Sequence, residues 1–587
     1  MKKIIIAGML TMGAFASCND FLDLAPQDQF TDTPEYWENT ANLENQCNLF
    51  YEDYLGYGNA GGQGWFYYKT LGDDQVNFQK NDWLWKNAPA TSSDWKDAYN
   101  SIRHANFILE RLSTSKMEEE SKAHFQAIAR LNRAWQFYQL VRMFGNVPLV
   151  ITVPDHHSDQ ILYGPRVDRD VVMDSVAADL SFATKYITGT NKQRFNKNMA
   201  YAMLADVALY EGTYSKYRKA EDNAGKGPDA ERAKKYLNIC VEACKAIMDN
   251  TAFKLNDTYQ GNYNSTDLSK NPEMIFYKPY SKNTLMHSLI DYTVNTGGTN
   301  GMTKDAFDSY LFLDGKPTAS TTLNKTDAPR MVIVNVKKKV DGVMKTVKDT
   351  SYHISHLFAV RDKRLSVTLD SVLAFKGKAY SRAGSNAFTS TTGYGVAKYD
   401  NPQMLTTTER NNINRQYTDA PIYWLAVVYL NYAEAMAELG TITQDDLNKS
   451  VNLLQRRAGL PNMTLTPDAD PANNMGVSNL IWEIRRARRC ELMFDNWYRY
   501  WDLIRWHQLE LVDSKAHPNI YRGANMTTVE NPQVELDTLN NAAPWEIYMA
   551  GSNTRKQVRT YDKKYYFYPI PTGQKALNGT LEQNPGW

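Results

Sequence analysis

The stretch AHFQAIARLNRAWQFYQLVRMFGNVPLV, residues 123–150, decides how this chain is read. Leu131, Trp135, Tyr138, Val141 and Phe144 recur at steps of three or four, which places them on one face of an α-helix. Gly145 supplies a stop and Pro148 confirms the break, so the helix ends where the pattern does. Working outward, further amphipathic segments fall at about 96–112, 170–187, 197–215, 231–249, 421–440, 444–458 and 478–511. They tend to come in pairs. Several carry small residues at helix-packing spacing, such as Ala202, Ala205 and Ala208, or Ala433 and Ala437 followed by Gly440. The expectation is a mainly α protein, a divergent tetratricopeptide-like scaffold of helix pairs without a strict repeat period.

Between about 255 and 400 the character changes to Gly, Asn, Ser and Thr runs with short β-like pieces. Val334, Val336 and Val340 precede Asp341-Gly342, and Val343 and Val347 follow, which reads as a hairpin with Asp-Gly in the turn. A single body over 39–587 is expected, with an N-terminal helical part (39–254), a large irregular loop-rich insert with small β-hairpins (255–400), and a C-terminal helical part (401–587). Polar, Pro-bearing stretches at 460–477 and 513–560 punctuate that last part. Long loops on a helical frame are where binding is usually done.

At the amino terminus, Lys2 and Lys3 precede an apolar run from Ile4 to Ala16, the length of a signal-peptide core and short for a membrane span. Ala14-Phe15-Ala16-Ser17-Cys18 then resembles a bacterial lipoprotein processing site, with residues 1–17 removed and Cys18 lipidated. Each buried methylene contributes ~0.8 kcal/mol, so a multiply acylated cysteine would hold the chain on a membrane without a spanning helix. Residues 18–38 show no sustained period and read as an extended arm. Cys47, Cys240, Cys244 and Cys490 are too few and too scattered for a disulfide framework, and Cys240 with Cys244 reads as a pair of small buried hydrophobes.

The 66 Lys plus Arg against 65 Asp plus Glu leave no positive field for nucleic acid. No G-x-S-x-G elbow, P-loop or H-E-x-x-H pair occurs, so nucleophilic and zinc-hydrolase chemistry have no anchor. Gly56-Tyr57-Gly58-Asn59-Ala60-Gly61 matches the letters of a dinucleotide fingerprint without the strand and helix that make it work. Asp73 and Asp74 could be half of a glycosidase pair, although hydrogen bonding to the adjoining loop is the simpler role. No catalytic residue, cofactor or metal is assigned.

Aromatic residues make up 12% of the chain, and in loops they are more informative than the acids. Trp65 and Tyr67 alternate, as do Trp83 and Trp85, so in extended backbone each pair projects from one side as a two-ring platform. The apolar face of a pyranose stacks on such a platform while amides and acids at its edge bind hydroxyls, and Asn81 lies close by. Tyr280 and Asn295 are candidates from the insert. Trp95 and Tyr99, at helical spacing, are assigned to packing.

Taken in order, FLDLAP (21–26), RAWQFYQLVRMFGNVPLV (133–150), NPEMIFYKPYS (271–281), RDKRLSVT (361–368), TGYGVAKY (392–399), YLNYAEAMAELG (429–440), RRCELMFDNWYRYWDLIRW (488–506), YFYPIP (566–571) and LEQNPGW (581–587) resemble the SusD/RagB family of outer-membrane nutrient-binding lipoproteins. Asp495-Asn496 stands where that family has Glu-Gly, Ala487 where it commonly has an acid, and Asn146 where it often has Asp. The resemblance implies a SusD-like α scaffold at the cell surface, lipid-anchored in the outer membrane. It also implies a SusC-like TonB-dependent transporter as partner and noncatalytic capture of an oligosaccharide. Peptide capture, a surface glycosidase and a pure protein-interaction scaffold are the rival readings. Within the 488–506 motif, Glu491 is expected to pair with Arg488 one turn back, and Asp502 with Arg499 and Arg505.

Overall fold

The computed structural model describes residues 32–60, 64–66, 71–77, 86–155, 157–221, 225–294, 300–382, 387–404, 409–410, 412–530, 546–548 and 559–587. Its frame is a succession of antiparallel helices: α1 (Thr40–Asn48), α2 (Ser93–Thr114), α3 (Glu119–Phe144), α4 (Arg169–Tyr186), α5 (Lys197–Tyr217) and α6 (Ala230–Met248), in which α2 to α6 each pack on the next. Side-chain caps start several of them, with Ser92, Asn196 and Asp229 accepting from backbone N–H groups in the first turns of α2, α5 and α6. Helix α3 is sandwiched between α2 and α4 and buries every residue from Leu131 to Tyr138. Its interior polar groups are therefore paired: Arg133 makes a two-point contact of 2.8 and 2.9 Å with Asp179 of α4, and Asn132 accepts from the Tyr54 hydroxyl.

After α6 the chain leaves the helical layer and returns to it at α7 (Leu425–Glu438), which packs against α6 and α5. The ends of this excursion are clasped together by an antiparallel pair, β1 (Met274–Lys278) with β4 (Ala420–Trp424), in which Met274 faces Trp424 and Lys278 faces Ala420. Between them lies the expected hairpin, β2 (Arg330–Val340) and β3 (Val343–His353), with Val340 opposite Val343. Asp341 and Gly342 both take positive φ, 51° and 83°, as a two-residue type I′ turn requires. Helices α8 (Val451–Arg457), α9 (Asn479–Glu491) and α10 (Tyr498–Arg505) complete the frame. One apolar cluster fills the space among α2 to α6, and a second, rich in Tyr, joins the excursion to α7 and α9.

Three boundaries differ from those expected. The segment around 421–440 begins as strand β4 and turns helical only at Leu425. The segment around 478–511 is two helices broken at 492–497. The arm expected to run to residue 38 is docked from Asp32 onward: Trp37 is buried, and Asp32 accepts from Trp37 Nε1 and from the Arg111 guanidinium, at 2.7 Å each. Cys18 lies outside the described residues. Among those described, no helix is long and apolar enough to cross a membrane, and the Cys240 and Cys244 sulfurs sit buried 4.0 Å apart as free thiols.

The carboxy-terminal motif is a brace, although its pairs are not all those expected. Glu434 of α7 takes two bonds from Arg505, of 2.6 and 2.8 Å, and one from Trp506 Nε1 at 2.7 Å. Asp502 takes one from Arg505 and one from Arg488, whose guanidinium also reaches Asn431 of α7. Arg499 instead grips Asp73, and Glu491 accepts not from Arg488 but from Arg364 of the excursion and Arg457 of α8. A buried guanidinium has five donors and no water, so a long-range partner that satisfies several of them displaces an i,i+3 neighbour that satisfies one. Asp73 and Asp74 are likewise committed to Arg499 and Arg489.

Candidate functional site

The break between α9 and α10 shapes the best-formed aromatic site. Phe494, Asn496 and Trp497 take φ of 68°, 44° and 57°, three non-glycine residues in the left-handed region within four positions. Each such residue costs of order 1–3 kcal/mol and persists where its surroundings dictate it. The determinant here is Asp495, whose two oxygens each lie 2.8 Å from Nζ of fully buried Lys398 and which also accepts from the Tyr399 hydroxyl. Burial pushes the Asp495 carboxyl up to about 6, against the opposing pull of Lys398. The ion pair thus pins a strained turn whose product is the placement of Asn496 and Trp497.

Those two residues form one wall of a cavity of about 160 Å³, with Trp65, Trp135, Trp501, Tyr423 and Tyr498 around it. Each element has its own reason for being there. Trp65 follows Gly64, which sits so close to the backbone of Gly56 that an added Cβ would lie 2.0 Å from the Gly56 oxygen, and the Trp65 N–H donates to that oxygen. The Gly56-containing stretch is therefore half of a loop-to-loop contact, not a phosphate cradle. Trp135 and Arg142 come from α3, and Asp206 from α5. The Trp65 and Trp135 rings lie 5.7 Å apart, and the Arg142 guanidinium lies 4.4 Å from the Trp501 ring centre.

Several polar atoms around this cavity are uncommitted. Arg142 takes the Gln139 carbonyl oxygen through Nε and Nη2, which leaves Gln139 Nε2 buried without a partner. Trp501 Nε1 and Asn496 Oδ1 are in the same condition. Asp206 accepts no hydrogen bond from any described residue, and burial raises its carboxyl above the usual range despite the pull of Arg488 and Arg142. Buried polar groups are almost always paired, so unpaired donors and acceptors around one aromatic space mark a place for an incoming polar group. Flat faces with convergent donors and acceptors suit a partly polar ring. The space is below the ~300 Å³ at which sites for drug-sized ligands begin, and so admits part of a larger ligand.

Of the residues expected to bind ligand, Trp65 is on this wall and partly exposed. Tyr67, Asn81, Trp83, Trp85 and Asn295 lie outside the described residues. Tyr280, expected at the ligand surface, is instead a buried structural residue: its hydroxyl donates to the Gly58 oxygen at 2.6 Å and its ring packs edge-on to His287, with centroids 4.8 Å apart. Sequence reasoning missed Asp206, Trp497 and Asn496. Asp206 is the one acid within the apolar run from Ala202 to Tyr210, and Asn496 stands in the Glu-Gly position, so both are visible as departures from a local pattern. Among the described residues no group of His, Cys, Asp and Glu is arranged to hold a metal ion.

Comparison with known proteins bears on this arrangement. A SusD-like protein of Bacteroides ovatus is 24% identical over 322 residues, so the match spans about half of this chain (51%) and of that relative (55%). The fold is shared with a solved SusD-like carbohydrate-binding protein of Bacteroides fragilis, with TM-score 0.66 and 20% identity over 93% of this chain and all of that one. It is also shared with a solved laminarin-binding SusD-like protein, with TM-score 0.51 and 18% identity over 94% of this chain and all of the other. Residues 21–209 match the family described as starch-binding, associating with the outer membrane. Residues 245–587, more than half of the chain, match the SusD family, and the protein belongs to that family.

Proposed function

We propose that this protein captures an oligosaccharide at the bacterial surface without altering it and passes it to a TonB-dependent transporter, tethered through lipid on Cys18. The observation that carries the reading is the cavity in which Trp65, Trp135 and Trp497 surround unpartnered polar atoms of Asn496, Gln139 and Trp501, with the half-buried Asp206 beside them. Stacking on the rings supplies contact, and the polar atoms select for hydroxyls. The description of the family matched at residues 21–209 and the laminarin-binding relative of the same fold supply the first ligands to try. Weak single sites suffice for a tethered receptor, because confinement at a surface raises effective concentration.

Isothermal titration with malto- and laminari-oligosaccharides tests this. Binding to the intact protein is expected to weaken about ten-fold in Trp497→Ala and in Trp65→Ala, as loss of ~1–1.5 kcal/mol per stacked ring requires. Unchanged affinity in both would reject the pocket. One observation favours a second reading, a surface glycosidase: Asp206 has a raised carboxyl pKa and Asp94 lines the same cavity, and an acid beside a second carboxylate is what glycoside cleavage uses. Release of reducing ends with steady turnover, abolished in Asp206→Asn, would establish that reading in place of the first.

A further inference from the structure

A larger cavity, of about 420 Å³, lies against α9. Arg485, Arg486 and Arg489 of that helix, at spacings of one, three and four residues, line it together with Arg499 of α10, Trp482 and four aspartates. The aspartates are occupied. Asp73 is held by Arg499 at 2.7 Å through both oxygens, and Asp305 by Arg489 at 2.8 Å. Asp308 is held by Lys304 at 2.6 Å, and Asp470 by Arg486. The guanidiniums are not all occupied in return. Arg486 is 7% exposed, gives Nη2 to Asp470 with Glu483 Oε1 3.3 Å from the same nitrogen, and keeps Nη1 buried with no partner. Arg485, 1% by side-chain exposure, gives Nη2 to Glu438 and keeps Nε unpartnered.

Two guanidinium nitrogens beside the cavity, Arg486 Nη1 and Arg485 Nε, therefore lack an acceptor. A guanidinium edge closed off from water is costly to leave unbonded, and the group that best completes it is a planar oxyanion. Next to it stands a flat apolar surface: the Trp482 ring, 5.5 Å from the Arg486 guanidinium carbon and oriented by an Nε1 bond of 3.2 Å to Asp470. Asn474 and Asn519 on the same wall offer amides to hydroxyls. We infer that this cleft is a second ligand site, one that takes the carboxylate of an acidic sugar on Arg486 with the sugar ring against Trp482. It shares no lining residue with the aromatic pocket. The inference rests on the reading of the cargo as a glycan, and adds to it that the cargo carries uronic acid units.

Titration of the full chain with trigalacturonate, with neutral maltotriose and laminaritriose, with a sulfated trisaccharide and with triglutamate separates the possibilities. Trigalacturonate is expected to bind, and to lose at least ten-fold in affinity in Arg486→Gln. Because Arg486 is buried against Asp470, a second variant is needed, and Ala319→Trp narrows the cleft from an exposed lining position outside the ion pairs. It is expected to weaken trigalacturonate to the same degree and to leave the neutral sugars unaffected. Trigalacturonate binding that survives Ala319→Trp, or that is lost in Trp497→Ala instead, overturns the inference, as does a cleft that prefers the sulfated sugar or triglutamate. Neutral sugars binding while trigalacturonate does not would overturn this site alone. Failure of every sugar would remove the glycan reading and this inference with it.

Discussion

The brace at Glu434 and the pocket at Trp497 lie at opposite ends of one short helix, α10, and use their polar atoms in opposite ways. In the brace, both oxygens of Glu434 and both of Asp502 have donors, and the arginines that supply them are themselves buried. In the pocket, Gln139, Asn496 and Trp501 each keep a buried atom unpaired, and Asn496 does so on a backbone turn held in an unfavourable conformation. One end has spent its carboxylates on the fold. The other has kept polar atoms available. The difference gives a physical criterion for separating two kinds of buried polar group that look alike in composition.

The largest expected effect breaks the brace. Arg505→Ala leaves Glu434 and Asp502 buried without their main counter-charge and should lower unfolding free energy by ~3–5 kcal/mol in urea titration. A loss below ~1 kcal/mol would erase the distinction drawn above. At the other end, Asp495→Asn removes the charge that pins the turn through Lys398 and should weaken oligosaccharide binding about ten-fold by calorimetry, a larger effect than on the urea midpoint. Equal losses in both would make Asp495 a purely structural residue.

Acid separates the two ends by sign. Glu434 is buried, yet Arg505 holds its carboxyl down to about 2. A depressed folded pKa contributes stability that is fully present above the unfolded value near 4.5 and is lost as pH falls toward 2, so the brace should fail in that window. Asp495 has the opposite shift, from 3.8 up to about 6, so between those values the folded state holds the extra proton and this group's contribution to stability increases on acidification. Protonation also releases Lys398. Oligosaccharide affinity is therefore expected to fall below about pH 6 while the melting temperature holds until about pH 4. Parallel decline of both would refute the assignment. The smallest effect is Asn496→Gly: relief of φ 44° should raise stability by under ~1 kcal/mol while loss of Oδ1 weakens binding, whereas unchanged binding would remove Asn496 from the site.

How much of this could be read from the chain depends on range. The 3.6-residue period located α2 to α7, and Asp341-Gly342 located the hairpin turn, because both signals act over a few neighbouring residues. The break between α9 and α10 escaped because nothing in Phe494, Asp495 and Asn496 opposes helix strongly. What bends the chain there is Lys398, 97 positions away. Arg488 and Glu491 were paired by proximity along the helix, and each found a better partner on a distant element. Trp65 was legible as a ring in a loop, whereas Tyr280 belongs to the same residue class and is buried, since composition alone does not report exposure. Asp206 was the most recoverable omission, a lone acid in an apolar helical face.

The clasp of β1 on β4 has a consequence for how this architecture diversifies. Lys278 and Ala420 are paired neighbours, so the chain between them leaves and re-enters the frame at one point. The closure cost of such a loop grows by only ~0.6 kcal/mol per doubling of its length. Length is therefore free to vary in the stretches of this segment that touch nothing else, such as the tip of the β2–β3 hairpin, whereas Arg364, Lys398 and Tyr399, which reach Glu491 and Asp495, tie the rest of it to the helical core.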